Sequence, residues 1–199
     1  VDLLAIGLGY GTTGPSRPNA NLTWTPQPAP DWPGILPNGI NLKHADTNGD
    51  SVINDSDTLA ILLNYGLTHN KGNQSAANGL TLNINFLEDT VAAGDTAIAL
   101  IELGNDSMPA MDVYGLAFSL AFDTSLVKND SLYASFDNSW LGTKGLDLIT
   151  LSYGLPDFGQ ADIALSRVDL ASQTGMGEVA RVKIIMVDDL TAKMDLAET

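Results

Sequence analysis

Residues 46–57 carry Asp or Asn side chains at five positions whose spacing suits a loop folded around a cation. Counted as a loop of twelve residues, the stretch has Asp or Asn at positions 1, 3, 5, 9 and 12 and an apolar residue, Ile53, at position 8. Ca²⁺ takes about six to eight oxygen ligands, and a chain folded back on itself presents alternate residues to one centre. The spacing therefore predicts a calcium site. Its predicted ligands are the side chains of Asp46, Asn48, Asp50, Asn54 and Asp57 and the main-chain carbonyl of Val52.

Residue types alone leave one alternative open, an Asp/Asn turn whose side chains satisfy only the local backbone. The calcium interpretation resembles an EF-hand loop, with two departures. Ser51 stands at position 6, where the sharp turn favours Gly, and Asp57 stands at position 12, where Glu is usual. A loop that ends in Asp and leads directly into an apolar helix resembles a type I dockerin repeat, which lacks the entering helix of the EF-hand. The resemblance implies Ca²⁺ as the cofactor.

An apolar helix is predicted directly after the loop, from about residue 56 to 64, with Leu59, Leu62 and Leu63 on one face and Gly66 as its C-terminal cap. Residues 2–13 match residues 57–68 at eight positions, at an offset of 55 residues. This internal repeat predicts a second short helix from residue 2 to about residue 10.

Dockerins carry two loop-helix units, so the resemblance makes residues 2–13 the second half of a first unit. Asp2 would then be a calcium ligand at position 12 of a loop that begins upstream of Val1. We therefore expect the sequence to be a piece of a longer chain, with its first calcium loop cut off.

Residues 12–45 are rich in Pro, Asn and Gly, which predicts an irregular, ordered insertion in a domain that spans residues 1–68. Trp24 and Trp32 lie in this insertion and have two interpretations. They are candidates for binding the face of a sugar, or they form a lid over two helices that are too short to bury themselves.

Apolar and polar residues alternate from Leu80 onward, which is the period of a β-strand. Seven segments have this pattern: residues 80–86, 97–103, 113–123, 132–136, 148–153, 162–167 and 179–187. Turns rich in Gly, Asp, Asn and Ser separate them, so we predict an antiparallel β-sandwich over residues 80–199, after a polar linker at residues 69–79. The predicted fold class is mainly β with a small α part.

Four stretches of the second half resemble a cohesin-type sandwich: residues 93–96, 113–127, 138–142 and 175–184. Together, the dockerin-like and cohesin-like halves resemble modules of large secreted surface and adhesin proteins of gliding, marine-type bacteria. The resemblance implies an extracellular location and contacts with other domains of a larger chain, in a homo-oligomer or filament. It also implies a further strand after residue 193, so we expect the sandwich to be truncated at its C-terminal end.

Composition excludes several classes of protein. A net charge of −15 with only nine Lys and Arg argues against binding nucleic acid, which needs a basic surface. The absence of Cys excludes disulfides and thiol chemistry. No stretch is long and apolar enough to span a membrane.

Catalytic patterns are scarce. His44 and His69 are the only imidazoles, and neither lies in a recognisable nucleophile, phosphate-binding or zinc motif. A carboxylate pair suited to glycoside hydrolysis stays open, because any two of many Asp residues could meet in space. We predict a non-enzymatic, calcium-stabilised structural or adhesive module. The alternative is a recognition module that binds polysaccharide or a dockerin- or cohesin-type protein partner.

Overall fold

The computed structural model of the chain describes residues 2–67, 81–155, 157, 159–188 and 190–191. The part of the chain so described is mainly antiparallel β-structure with two short α-helices, which confirms the predicted fold class. The helices are α1 (Asp2–Gly9) and α2 (Thr58–Leu63). The strands are β1 (Leu82–Phe86), β2 (Thr90–Val91), β3 (Thr96–Leu103), β4 (Ala110–Val113), β5 (Gly115–Ala121), β6 (Tyr133–Ser135), β7 (Leu148–Leu155), β8 (Gln160–Arg167), β9 (Gln173–Gly175), β10 (Gly177–Ile185) and β11 (Leu190–Thr191).

Two sheets form the sandwich. One has four strands in the order β1-β3-β10-β6, and the other has three strands in the order β5-β8-β7. The pairings within both sheets are antiparallel. Two small ribbons, β4-β9 and β11-β2, complete the strand pairing. Each of the seven strands predicted from period-two alternation is present, whereas the four strands of these ribbons were not predicted.

The main core lies between the two sheets and follows from the alternation of side chains along each strand. Along β8, Ala161, Ile163 and Leu165 are almost fully buried, and Ile163 and Leu165 belong to the same core cluster as residues of the four-stranded sheet. The residues between them, among them Asp162 and Ala164, point to the opposite face of the three-stranded sheet. That outer face is where the N-terminal half packs.

A second core joins the N-terminal half to the outer face of the three-stranded sheet. Its buried members are Leu3, Ile6, Trp32, Ala45 and Ile53 from the N-terminal half, with Ile149 and Leu151 from β7. Helix α1 crosses the sheet so closely that a Cβ at Gly7 would lie 2.6 Å from the carbonyl oxygen of Arg167, at the end of β8. The predicted linker, residues 69–79, and the predicted strand after residue 193 lie outside the described residues.

The repeated helices end in the same way. Gly11 and Gly66 follow α1 and α2 with φ of +77° and +78°, the left-handed conformation in which Gly ends a helix. A 3₁₀ turn, Asp55–Asp57, precedes α2 and replaces the first turn of the predicted helix. The repeat detected in the sequence is thus visible in the backbone.

Of the three residues predicted to form the apolar face of α2, two are exposed, so that part of the prediction was wrong. Leu59 and Leu63 are 45% and 63% exposed, while Leu62 and Ile61 pack against the second core. The helix has apolar residues around most of its circumference, so periodicity does not say which side is buried. In the part of the chain that the structure describes, no helix is long and apolar enough to cross a membrane.

Candidate functional site

A strap formed by residues 11–17 holds one side of the predicted calcium loop in place. Four main-chain hydrogen bonds of 2.8 to 3.1 Å join the strap to alternate loop residues: Gly11 to Ile53, Ile53 to Thr12, Gly14 to Ser51 and Arg17 to Gly49, donor first. These bonds use the carbonyls of loop positions 4, 6 and 8. The predicted ligand at position 7, the carbonyl of Val52, takes no part in them. Alternate residues of the loop therefore bond to the strap, which leaves the Val52 carbonyl between them available to face an ion, as the predicted site requires.

Asp46, the predicted first ligand, is only 3% exposed. Its Oδ1 accepts hydrogen bonds from the amides of Gly49 and Asp50 at 2.8 and 3.2 Å, and its Oδ2 accepts one from Ser51 at 3.2 Å. The carboxylate thus folds the first half of the loop around itself.

Asp57, the predicted last ligand, is fully buried. Its Oδ1 accepts from the amides of Thr47 and Asn48 at 2.7 and 3.1 Å, and its Oδ2 accepts from the amide of Asn54 at 2.8 Å. Because Asp57 also opens the helical segment, its carboxylate ties the two ends of the loop together and caps the 3₁₀ turn.

The remaining predicted side chains lie within the same loop. Asn48 donates its amide to Asp50 Oδ2 at 3.0 Å, and Asp50 Oδ1 accepts from the amide of Val52 at 2.9 Å. Asn54 Oδ1 accepts from the amide of Ser56 at 2.7 Å. Asp2 opens α1, and its side chain lies outside the described residues.

Electrostatics make the two buried carboxylates unusual. Burial raises the pKa of Asp57, the charge of Asp46 raises it further, and the backbone hydrogen bonds from Asn54, Asn48 and Thr47 oppose that rise. Among the described residues, no Lys, Arg or His forms an ion pair with Asp46 or Asp57. Two buried anions on one loop are costly unless a cation balances them.

The donor set fits Ca²⁺ in type. A carboxylate has about four lone-pair sites, so Asp46 and Asp57 retain capacity for a cation while they accept amide hydrogen bonds. Within the described ranges, no three His, Cys, Asp or Glu side chains cluster as a metal site. An ion held here would thus need the amide oxygens of Asn48 and Asn54 and the Val52 carbonyl beside the carboxylates, which is the mixed oxygen set that Ca²⁺ accepts.

Ser51, one of the two departures from the EF-hand pattern, carries a backbone strain. Its φ is +85°, the region that Gly tolerates and other residues rarely adopt. Position 6 of the loop therefore has the left-handed backbone conformation, although its residue is Ser and not Gly.

The two Trp residues of the insertion have different roles. Trp32 is 4% exposed, donates its indole Nε1–H to the Pro15 carbonyl at 3.0 Å, and lies against Gly14. Its ring forms part of the second core, as a lid would, and has no open face for a sugar. Trp24 is 42% exposed and lines a cleft of about 960 Å³.

This cleft was not predicted. It lies between α1, the insertion and α2, and its lining includes Arg17, Lys43 and His44 but no Asp or Glu. The basic residues lie 26 or more positions apart from Arg17 in the sequence, so no local pattern could have revealed their proximity. Of the two Trp residues considered for sugar binding, Trp24 lines this cleft.

No protein-family model and no curated protein matches this chain. Several solved structures resemble it, and they are type II cohesins. A type II cohesin–X-dockerin complex from Acetivibrio cellulolyticus has a matching chain at 15% identity and a TM-score of 0.45, over 55% of this chain and 72% of that chain. The second type II cohesin module of the adaptor ScaA scaffoldin of the same organism matches at 10% identity and a TM-score of 0.45, over 60% of this chain and 74% of that chain. Cohesin A11 of Bacteroides cellulosolvens matches at 15% identity and a TM-score of 0.44, over 54% and 69% of the two chains. Similarity at this level concerns the fold and not the function.

Proposed function

We propose that this chain is a non-catalytic, calcium-stabilised structural module of a secreted or cell-surface protein. In this proposal Ca²⁺ binds the loop of residues 46–57 and fixes the helical half against the β-sandwich. The observation that carries the proposal is the pair of buried carboxylates, Asp46 and Asp57, which no cation of the described protein balances.

The loop residues supply the chemistry of such a site. Asp46, Asn48, Asp50, Asn54 and Asp57 would hold the ion with the carbonyl of Val52. Bound Ca²⁺ supplies positive charge that offsets the repulsion between the carboxylates. Because the unfolded chain has no preformed site, the free energy of binding adds to the free energy of folding.

Stabilising the loop stabilises its contact with the sandwich. Ile53, at position 8 of the loop, is fully buried in the second core together with Ile149 and Leu151 of β7. At the far end of α2, the Tyr65 hydroxyl donates to Asp162 Oδ2 at 2.5 Å, and the Tyr65 ring stacks on Tyr153 with centroids 4.2 Å apart. A loop held by calcium thus anchors both ends of the helical segment to the outer face of the three-stranded sheet.

The arrangement supports a rigid spacer better than a recognition module that uses this sheet face. The N-terminal half of the same chain already covers the outer face around Ile149 and Leu151. A role in surface adhesion, in a filament or in a homo-oligomer follows from the dockerin-like and cohesin-like resemblance and is part of the proposal. So is the extracellular location, where calcium at millimolar levels would fill even a weak site.

Calorimetric titration of the full 199-residue chain with Ca²⁺, and separately with Mg²⁺, tests the proposal. We expect Ca²⁺ to bind and Mg²⁺ to bind far more weakly, because the mixed oxygen set suits the larger ion. The double variant Asp46→Asn, Asp50→Asn should lose calcium binding, whereas Asp106→Asn, an exposed position in the sandwich, should retain it.

Absence of Ca²⁺ binding to the wild-type chain, or equal binding by the double variant, would overturn the proposal. Sedimentation velocity in Ca²⁺ and in chelator tests the assembly role. A monomer at all concentrations under both conditions would argue against a homo-oligomer or filament built by this chain alone.

A further inference from the structure

The cleft beside the calcium loop has a charge opposite to that of the chain. The protein carries 24 Asp and Glu against 9 Lys and Arg, yet the lining of this cleft contains Arg17, Lys43 and His44 and no acidic residue. In a chain of net charge −15, a cleft lining without an acidic residue is an exception, and in the described part of the chain the charge of Arg17 has no ion-pair partner there. Charge complementarity therefore selects an anionic ligand.

Arg17 is the cation best placed to bind it. Its Nη2 donates to the carbonyl of Thr47, while its Nε is shielded from solvent and has no hydrogen-bond partner. In the described part of the chain, no carboxylate lies within ion-pair distance of Arg17. By contrast, Lys43 already pairs with Asp31 at 2.7 Å. Because Nε is shielded, the hydrogens that Arg17 retains for a ligand carboxylate are those of its Nη groups.

The other walls of the cleft suit a sugar. Trp24 contributes an indole that is 42% exposed, and aromatic rings bind the apolar faces of sugar rings. Asn21, Gln27 and Asn64 line the same cleft. Gln27 donates its amide to Asn21, and Asn64 donates to the carbonyls of Leu22 and Ala60, so these bonds hold the walls of the cleft together. At about 960 Å³, the cleft has room for several sugar rings.

We propose that this cleft binds an acidic oligosaccharide, with a sugar carboxylate paired to Arg17 and a sugar face stacked on Trp24. The site goes beyond the structural role proposed above and does not require it. Only the predicted effect of calcium on sugar binding rests on the proposed structural role. The calcium loop holds Arg17 through the carbonyls of Thr47 and Gly49, the latter accepting the Arg17 amide at 3.1 Å. A loop ordered by calcium would therefore order Arg17.

Calorimetric titration of the full chain with a tetrasaccharide of alternating glucuronic acid and N-acetylglucosamine tests the site. The matched control ligand is the same tetrasaccharide with its carboxyl groups reduced to alcohols. We expect the acidic form to bind at least about tenfold more tightly, since a hydrogen bond to a charged group is worth about that much. Equal affinity for the two forms would overturn the proposal.

Three variants locate the binding. Trp24→Ala and Arg17→Gln should each weaken binding of the acidic tetrasaccharide at least about tenfold. Lys144→Gln removes the same charge from an exposed position on the sandwich and should change the affinity less than about twofold. A loss in Lys144→Gln equal to that in Arg17→Gln would show general charge attraction and overturn the site. Because Arg17→Gln also removes a contact to the calcium loop, Trp24→Ala keeps the proposal testable if the Arg17 variant folds poorly.

Two further outcomes are decisive. Binding of a poly-glutamate peptide as tight as that of the acidic tetrasaccharide would show a site for acidic peptides and overturn the sugar assignment. Sugar binding that is the same in Ca²⁺ and in chelator would overturn the calcium link, while the dependence on Trp24 and Arg17 would still support the cleft. Failure of the calcium-loop proposal and failure of the sugar site are thus distinguishable.

Discussion

The calcium proposal makes its sharpest prediction at Asp57. Asp57→Asn keeps the shape of the side chain but removes its charge and replaces one of its two oxygens with an NH₂ group. In the wild type those oxygens accept amide hydrogen bonds from Thr47, Asn48 and Asn54. At least one of these amides would face a donor in the variant, at a cost of about 1.5 to 3 kcal/mol for a lost hydrogen bond to a charged group.

Without calcium, a second effect opposes that cost. Burial and the nearby charge of Asp46 raise the pKa of Asp57, so the ionised side chain is disfavoured in the folded state. Removing the charge relieves this penalty. We therefore expect the variant in chelator to be less stable than the wild type by no more than about 3 kcal/mol.

With calcium, the two proteins diverge. At a Ca²⁺ concentration about 100 times the Kd, binding stabilises the wild type by about 2.7 kcal/mol. For a chain of this size, that corresponds to a rise in Tm of roughly 5 to 11 °C. Asp57→Asn should gain less than about 2 °C, because it lacks one of the carboxylates on which the site depends.

Thermal unfolding followed by circular dichroism, in chelator and in excess Ca²⁺, measures this difference. Asp106→Asn is the matched control and should show the full calcium shift. If Asp57→Asn gains as much from calcium as the wild type, residues 46–57 do not form the site. The reasoning from buried carboxylates would then be refuted.

The remaining predictions concern pH, strain and the contact between the halves. In chelator, the contribution of Asp57 to the free energy of unfolding should fall as the pH rises from about the ordinary pKa of 3.8 through the raised folded-state pKa, because the folded state holds the proton more tightly. Measuring Tm against pH for the wild type and for Asp57→Asn tests this. A contribution that increases over that pH range would contradict it. Ser51→Gly should raise the free energy of unfolding by up to about 1 kcal/mol in urea titrations, since it removes a left-handed non-Gly residue at φ +85°, and a destabilised variant would contradict it. Gly7→Ala should destabilise the chain by about 1 to 3 kcal/mol, because its Cβ would meet the end of β8, whereas Gly154→Ala, where a Cβ meets nothing within 4 Å, should change stability little.

The local sequence was enough to predict the features whose residues lie close together in the chain. The polar side chains of residues 46–57 lie in one hydrogen-bonded loop, because a folded loop of that length closes on itself. Whether it holds Ca²⁺ stays a prediction. The repeat of Tyr10-Gly11 in Tyr65-Gly66 marked two helix ends with matching backbone conformations. The seven strands of the two main sheets followed from period-two alternation.

Short strands escaped prediction for a physical reason. The ribbon strands β2, β4, β9 and β11 have two to four residues each. The three-residue strand β6 was predicted because it lies inside a longer alternating segment, residues 132–136, whereas the ribbon strands do not. Their pairing depends on neighbours far along the chain, such as Ala110 opposite Gly175. Nothing local distinguishes them from the turns around them.

Only the tertiary structure decided which faces meet. Helix α2 partly buries Ile61 and Leu62 and exposes Leu59 and Leu63, because the surface that it packs against, and not its own periodicity, selects the buried side. The bond from Tyr65 to Asp162 joins residues 97 positions apart. The cleft likewise gathers basic residues that are distant in sequence, with Arg17 held by the loop of residues 46–57. Sequence specifies groups and short-range spacing, whereas a surface shared by distant segments exists only once the chain has packed.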